Sequence, residues 1–188
     1  MYEQQSSRGH ESVSVDPMIV LCMDVSGSMA GEKEDMARKA LSEFVGEVTA
    51  STNRIGLVTF GGHADVVCKP TLDVGRILRS IDGMRAGGKT PFAGALRAAW
   101  RLVEEAAAQS AIVIASDGLP TDEPTESILA LGRIVAATGT RIVTVAIGED
   151  ADREFLRALA TCPREAFHTK PSGLVLTYRR IASGLVPK

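Results

Sequence analysis

Three short stretches carry side chains whose types and spacing could do chemistry. DVSGS, residues 24–28, sets Asp24, Ser26 and Ser28 at alternate positions. SDGLPTD, residues 116–122, offers Asp117. GMRAGGKT, residues 83–90, ends in Thr90 and, as letters, fits GxxxxGK[ST], the phosphate-binding loop of many nucleotide hydrolases. Two chemistries therefore compete: a glycine-rich loop cradling phosphates, or side-chain oxygens gathered around a hard cation.

The cation reading uses all three stretches. Alternation along an extended loop would turn the Ser26 and Ser28 hydroxyls to the side of Asp24, and Gly27 keeps that turn open. A donor set of oxygen alone, without nitrogen or sulfur, suits magnesium or manganese before zinc, with calcium a further alternative. Magnesium wants six oxygens, and two carboxylates with two hydroxyls are too few to enclose it. Thr90, in AGGKTPF ahead of a helix, supplies another hydroxyl. A plainer reading makes DVSGS a helix-capping turn, since Asp and Ser favour such positions.

The phosphate reading needs a strand before its loop and a helix after it. The segment before Gly83, DVGRILRSIDGM, instead has helical periodicity, with Val74, Ile77, Leu78 and Ile81 on one stripe. Pro91 follows the Thr and removes an amide that phosphates would use. IVIASD could still pass for a Walker B strand and its Asp. A P-loop NTPase using Gly83–Thr90 thus stays as the alternative, and it predicts nucleotide binding through Lys89.

The elements that must position these residues alternate. MIVLCMD, RIGLVTF, SAIVIASD and TRIVTVAIG are apolar runs suited to strands buried on both faces. ADVVCK reads as a short strand paired antiparallel to RIGLVTF across Gly61-Gly62, and EAFHTK as a last short strand. Helical segments intervene: GEKEDMARKALSEFVGEV, DVGRILRSIDGM, PFAGALRAAWRLVEEAAA, EPTESILALGRIVAATG, DADREFLRALA and SGLVLTYRRIASGL. The order implies an α/β fold: a doubly wound, mostly parallel six-stranded sheet with one short antiparallel strand and helices on both faces. In such sheets ligands bind beyond the carboxyl ends of strands, where strand order reverses. Asp24 and Asp117 would share one crevice there if their strands are neighbours. Residues 1–16 are polar and aperiodic and read as a flexible arm, leaving one domain over residues 17–186.

Composition narrows the classes. The chain has 188 residues, 45% hydrophobic and 23% charged, with a formal charge of −2. No basic block marks a nucleic-acid surface. Aromatic residues make up only 4%, so Ala, Val, Ile and Leu must build the core. Cys22, Cys68 and Cys162 are far apart and odd in number, which suits buried free thiols in a reducing compartment. MIVLCM is too short to cross a bilayer, and the amino terminus has no secretory pattern, so no membrane and a cytoplasmic location are expected. No GxSxG elbow appears, and catalysis has no positive support. His63 and His168 read as surface or turn residues, Trp100 as core, Arg179 and Arg180 as a solvated face, and Asp122 as the cap of the helix after it, with a supporting role at the rim of the site as the alternative.

DxSxS at Asp24, Ser26 and Ser28, Thr90 after a Gly pair, and Asp117 closing a later strand resemble the metal-ion-dependent adhesion site of von Willebrand factor A domains. The resemblance runs from about Met18 to the end of the chain and includes the order of elements. It implies hydroxyl ligands at Ser26, Ser28 and Thr90, with Asp24 and Asp117 acting directly or through water. It further implies a coordination position left for an Asp or Glu carboxylate of a protein partner, and loop shifts that give two affinity states. Small stand-alone prokaryotic members, including those linked to tellurium resistance, are similar, SDGLPTD being like their second Asp loop. The expected function is metal-dependent protein binding as an adaptor, in a bacterial or archaeal cytosol, not enzymatic. A structural metal module without a partner is a third reading.

Overall fold

The computed structural model describes residues 16–48, 52–104 and 109–185. The expected arm, residues 1–16, lies outside them except for Asp16. Six strands form one sheet: β1 (Met18–Asp24), β2 (Arg54–Phe60), β3 (Ala64–Thr71), β4 (Ala111–Ser116), β5 (Arg141–Ile147) and β6 (Ala166–Thr169). Their spatial order is β3-β2-β1-β4-β5-β6, and every neighbouring pair is parallel except β2 with β3. β1 and β4 are neighbours where the order reverses, which is the placement the two aspartates require.

The period of two along each strand divides the core into two layers. Ile19, Leu21 and Met23 of β1, with Val113 and Ala115 of β4, face α1 (Glu32–Val48), α2 (Val74–Asp82) and α6 (Leu174–Leu185). Val20 and Cys22, with Ile112 and Ile114, face α3 (Phe92–Val103), α4 (Thr125–Ala137) and α5 (Arg153–Leu159). Burying each of the Val, Ile, Leu and Met side chains among these stabilises the fold by about 1.5–3 kcal/mol. Phe44 of α1 meets Tyr178 of α6 edge to face at 5.8 Å. α2 and α5 begin where sequence signals place them, with Asp73 accepting from the Arg76 amide and Asp152 from the Phe155 amide, both at 2.9 Å.

Several expectations need correction. β3 is not short: it has eight residues, because register shifts around Leu57 let Pro70 stay in an edge strand. Pro91 caps α3 from outside instead of occupying its first turn. That helix ends at Val103, and residues 105–108 lie outside the described residues. Cys22 and Cys68 are buried free thiols, but Cys162 is only half-buried. Trp100 is also half-buried, packed on the edge of the α3 layer. Arg179 pairs with Glu43 at 2.6 Å, and the Arg180 guanidinium lies 5.8 Å from the Phe167 ring centroid, so neither is merely solvated. His63 and His168 are exposed as expected. Among the described residues no helix is long and apolar enough to cross a membrane.

Candidate metal centre

The carboxyl ends of β1 and β4 bring two carboxylates close enough for their charges to interact. Asp24, the last residue of β1, is fully buried, and Asp117, just past β4, is 2% exposed. Asp24 Oδ1 accepts from the Ser26 amide at 2.7 Å, and its other oxygen accepts from the Ser116 hydroxyl. Ser28 donates its hydroxyl to Asp117 Oδ1 at 2.7 Å and lies 3.1 Å from the Ser26 hydroxyl. Ser26 has extended backbone as the alternation suggested, but Ser28 does not. Gly27–Met29 is a 3-10 turn, and its tighter winding swings Ser28 back over Ser26.

The third stretch reaches the same place through backbone contacts. The Gly27 amide donates to Gly88 O at 3.1 Å, and the Gly87 amide donates to Val25 O at 2.7 Å. A Cβ on Gly88, whose φ is +83°, would stand 2.3 Å from the Gly62 amide nitrogen. One on Gly61 would stand 2.4 Å from Gly87 O. The two glycine pairs therefore pack backbone against backbone, which only glycine permits. Thr90, 5% exposed, follows directly, and a Cβ placed on Gly118 would come 3.6 Å from its hydroxyl.

The β4–α4 loop fixes this arrangement from the other side. Thr90 donates its amide to the Thr121 hydroxyl at 3.0 Å, and the Thr121 amide donates to Thr90 O at 3.0 Å. Asp122 does not cap the helix after it, α4. It accepts from the Ala93 and Gly94 amides at 3.2 and 2.9 Å and so caps α3, whose own N-cap, Pro91, has no side-chain oxygen to offer. Arg97 of α3 holds Glu123 with two bonds, at 2.6 and 3.2 Å. These contacts also dispose of the phosphate-loop context. Gly83–Thr90 lies between two helices, α2 and α3, and the Gly87 and Thr90 amides are bonded within the protein.

Asp24, Ser26, Ser28, Thr90 and Asp117 thus lie at one end of the sheet. Sequence reasoning missed three further residues there: Ser116, Thr121 and Lys33. Lys33, second residue of α1, donates its ammonium to Asp117 Oδ2. Its position in GEKED, one turn beyond DVSGS, is the signal that was legible. Burial raises the Asp24 carboxyl above its usual range, the Ser116 and Ser26 donors partly offset this, and the Asp117 charge adds to the rise. One ammonium against two buried carboxylates leaves the pocket negative. Among the described residues, no group of three or more His, Cys, Asp or Glu is placed to hold a metal, so an ion held here would depend on the hydroxyls. An all-oxygen, negative, buried donor set fits a hard divalent cation.

A family model described as the von Willebrand factor type A domain matches residues 19–119, more than half of the chain. The chain belongs to this family. The matched segment of this von Willebrand factor A domain runs from β1 into the β4–α4 loop and contains Asp24, Ser26, Ser28, Thr90 and Asp117. Its fold matches the vWF domain of the type V pili tip protein Mfa5 from Porphyromonas gingivalis with a TM-score of 0.84, at 15% identity, over 93% of this chain and 96% of that one. Proximal thread matrix protein 1 from the mussel byssus, in a structure with a zinc-occupied MIDAS motif, matches with a TM-score of 0.74 at 18% identity, over 90% of this chain and 46% of that one. Among curated proteins, the magnesium-chelatase 67 kDa subunit of Chlorobaculum tepidum is 30% identical over 106 residues, 54% of this chain. This von Willebrand factor A domain spans 17% of that relative's length.

Proposed function

We propose that this domain is a metal-dependent protein-binding adaptor rather than an enzyme. Asp24, Ser26, Ser28, Thr90 and Asp117 would hold a magnesium ion, with manganese or calcium as alternatives. Bound there, the ion supplies an electrophilic position for an Asp or Glu carboxylate of the partner. The chain's own groups do the rest. Ser116 and the Ser26 amide orient Asp24, Ser28 orients Asp117, and the glycine contacts keep Thr90 at the site. Neutral hydroxyls add no charge, so two carboxylates only balance a divalent ion and leave it attractive to a further anion.

The observation that carries this reading is the Ser28–Asp117 hydrogen bond, which joins the loops after β1 and β4 beside a buried, uncompensated Asp24. The chelatase relatives are named as subunits, which agrees with a domain that works by joining other proteins. Calorimetric titration of the chelator-treated protein with magnesium tests the metal. Capture of Asp- or Glu-bearing peptides, with magnesium and with chelator, tests the partner chemistry. Saturable heat and magnesium-dependent capture are expected. Absence of heat at millimolar magnesium, manganese and calcium would refute the reading.

A further inference from the structure

Lys33 is the feature that the site does not need and yet contains. Its ammonium bonds Asp117 Oδ2 while Ser28 holds Oδ1, so both oxygens of that carboxylate are engaged from the turn and helix that follow β1. The Asp117 side chain is fully buried, whereas that of Lys33 remains 24% exposed, so the ammonium enters the pocket from the solvent side. Other carboxylates on the same helix already have a partner: Arg38 takes Glu34 at 2.5 Å and Asp35 at 2.9 Å. Beyond β5, Arg153 at the start of α5 takes Glu149 of the turn before it. Asp24, in contrast, has only hydroxyl and amide donors.

We propose that Lys33 is a tethered competitor for the divalent cation, occupying Asp117 until the ion displaces it. The proposal rests on the metal reading above and adds what sets the site's affinity. A divalent ion among Asp24, Ser28 and Asp117 would stand beside a fixed positive charge in a weakly screened pocket, and that repulsion opposes entry. The ammonium also lies on a four-carbon stem with an outer, hydrated position to go to. Metal uptake is therefore a cation exchange: the ion enters and the Lys33 ammonium leaves Asp117. The domain can fold with its carboxylates partly neutralised before any metal arrives.

The test compares magnesium titrations and thermal melts of wild type, Lys33→Met and Lys33→Arg, with Lys33→Gln as a second neutral variant should the Met protein fold poorly. The neutral variant should bind magnesium about tenfold or more tightly than wild type, because the repelling charge is gone. It should melt lower than wild type without metal, and magnesium should raise its melting temperature by more than it raises that of wild type. Lys33→Arg should keep the weaker affinity. A merely structural role for Lys33 would lower the melting temperature equally with and without magnesium. Equal or weaker magnesium affinity in the neutral variant overturns the proposal and leaves the metal reading intact. Absence of binding in all the proteins overturns both.

Discussion

The two ends of the sheet treat their charges differently. At the amino end, two carboxylates among the described residues have a guanidinium. Asp16 pairs with Arg54 at 3.1 Å, and Glu165, whose side chain is 12% exposed, receives the Arg141 Nε at 2.7 Å. At the carboxyl end, Asp24 and Asp117 are both buried with one ammonium between them, and that one bonds only Asp117. Burying an unpaired charge costs several kcal/mol unless something neutralises it. At the amino end these two carboxylates are matched by guanidinium groups of the chain itself, although Glu165 Oε2 is buried without a hydrogen-bond partner among the described residues. The carboxyl end is left short of positive charge, and a cation from outside would complete it.

The variant Asp24→Asn should break this contrast most severely. Asn can keep the acceptor for the Ser26 amide and meet Ser116, but it removes the buried charge. Magnesium affinity should fall by more than the roughly 10–100-fold that loss of an outer-shell partner brings. The metal-free protein should nevertheless melt higher at neutral pH. The sign follows from the raised Asp24 carboxyl. A group whose folded pKa lies above its unfolded value of about 3.9 stabilises the fold below that pH, and the contribution is lost as pH rises through the folded value. Wild type without metal should lose stability across that window, and Asp24→Asn should lose less. Melting curves at stepped pH, with and without magnesium, measure both effects.

Gly88→Ala tests how the third stretch reaches the site. Its positive φ and the 2.3 Å approach to Gly62 N predict a loss of about 1–3 kcal/mol in chemical denaturation. It should also weaken magnesium binding, because the strain falls on the segment that carries Thr90. At the opposite end, Arg141→Met leaves Glu165 without its guanidinium and should cost about 1–3 kcal/mol. Here the loss should be the same with magnesium and with chelator. A magnesium-dependent loss at Arg141 would erase the distinction between the two ends.

Much of this was readable from the sequence for a physical reason. Strands buried on both faces announce themselves as apolar runs, so β1, β4 and β5 were visible, and with them the neighbouring ends that carry Asp24 and Asp117. Thr90 came from magnesium's need for more oxygens and from its place ahead of a helix, and the resemblance to the family then agreed with it. What stayed hidden was side-chain traffic between distant segments. Asp122 looked like a local helix cap and instead caps a helix about thirty residues earlier, because α3 starts with a proline that has no oxygen to give. Ser28 reached Ser26 through a 3-10 turn that the alternation did not anticipate. Lys33 was not singled out, since nothing local says that its ammonium crosses to a residue 84 positions away.

The smallest expected effect separates two lysines. Lys89 drew notice because GGKT spells a phosphate loop, whereas Lys33 drew none. In the folded chain their positions are reversed in importance: Lys89 is exposed, and Lys33 reaches into the pocket. The glycines before Lys89 close against Gly61 and Gly62, and the Gly87 and Thr90 amides are already bonded to Val25 O and the Thr121 hydroxyl. Two of the amides that a phosphate cradle would use are therefore taken, and the loop follows a helix instead of a strand. Lys89→Ala should therefore shift stability by no more than about 0.5 kcal/mol, the usual range for a surface substitution. Its magnesium affinity should match wild type, and neither protein should bind ATP or GTP in equilibrium dialysis. Nucleotide retained by wild type and lost in Lys89→Ala would restore the phosphate-loop reading and remove the reason for treating this end of the sheet as a cation site.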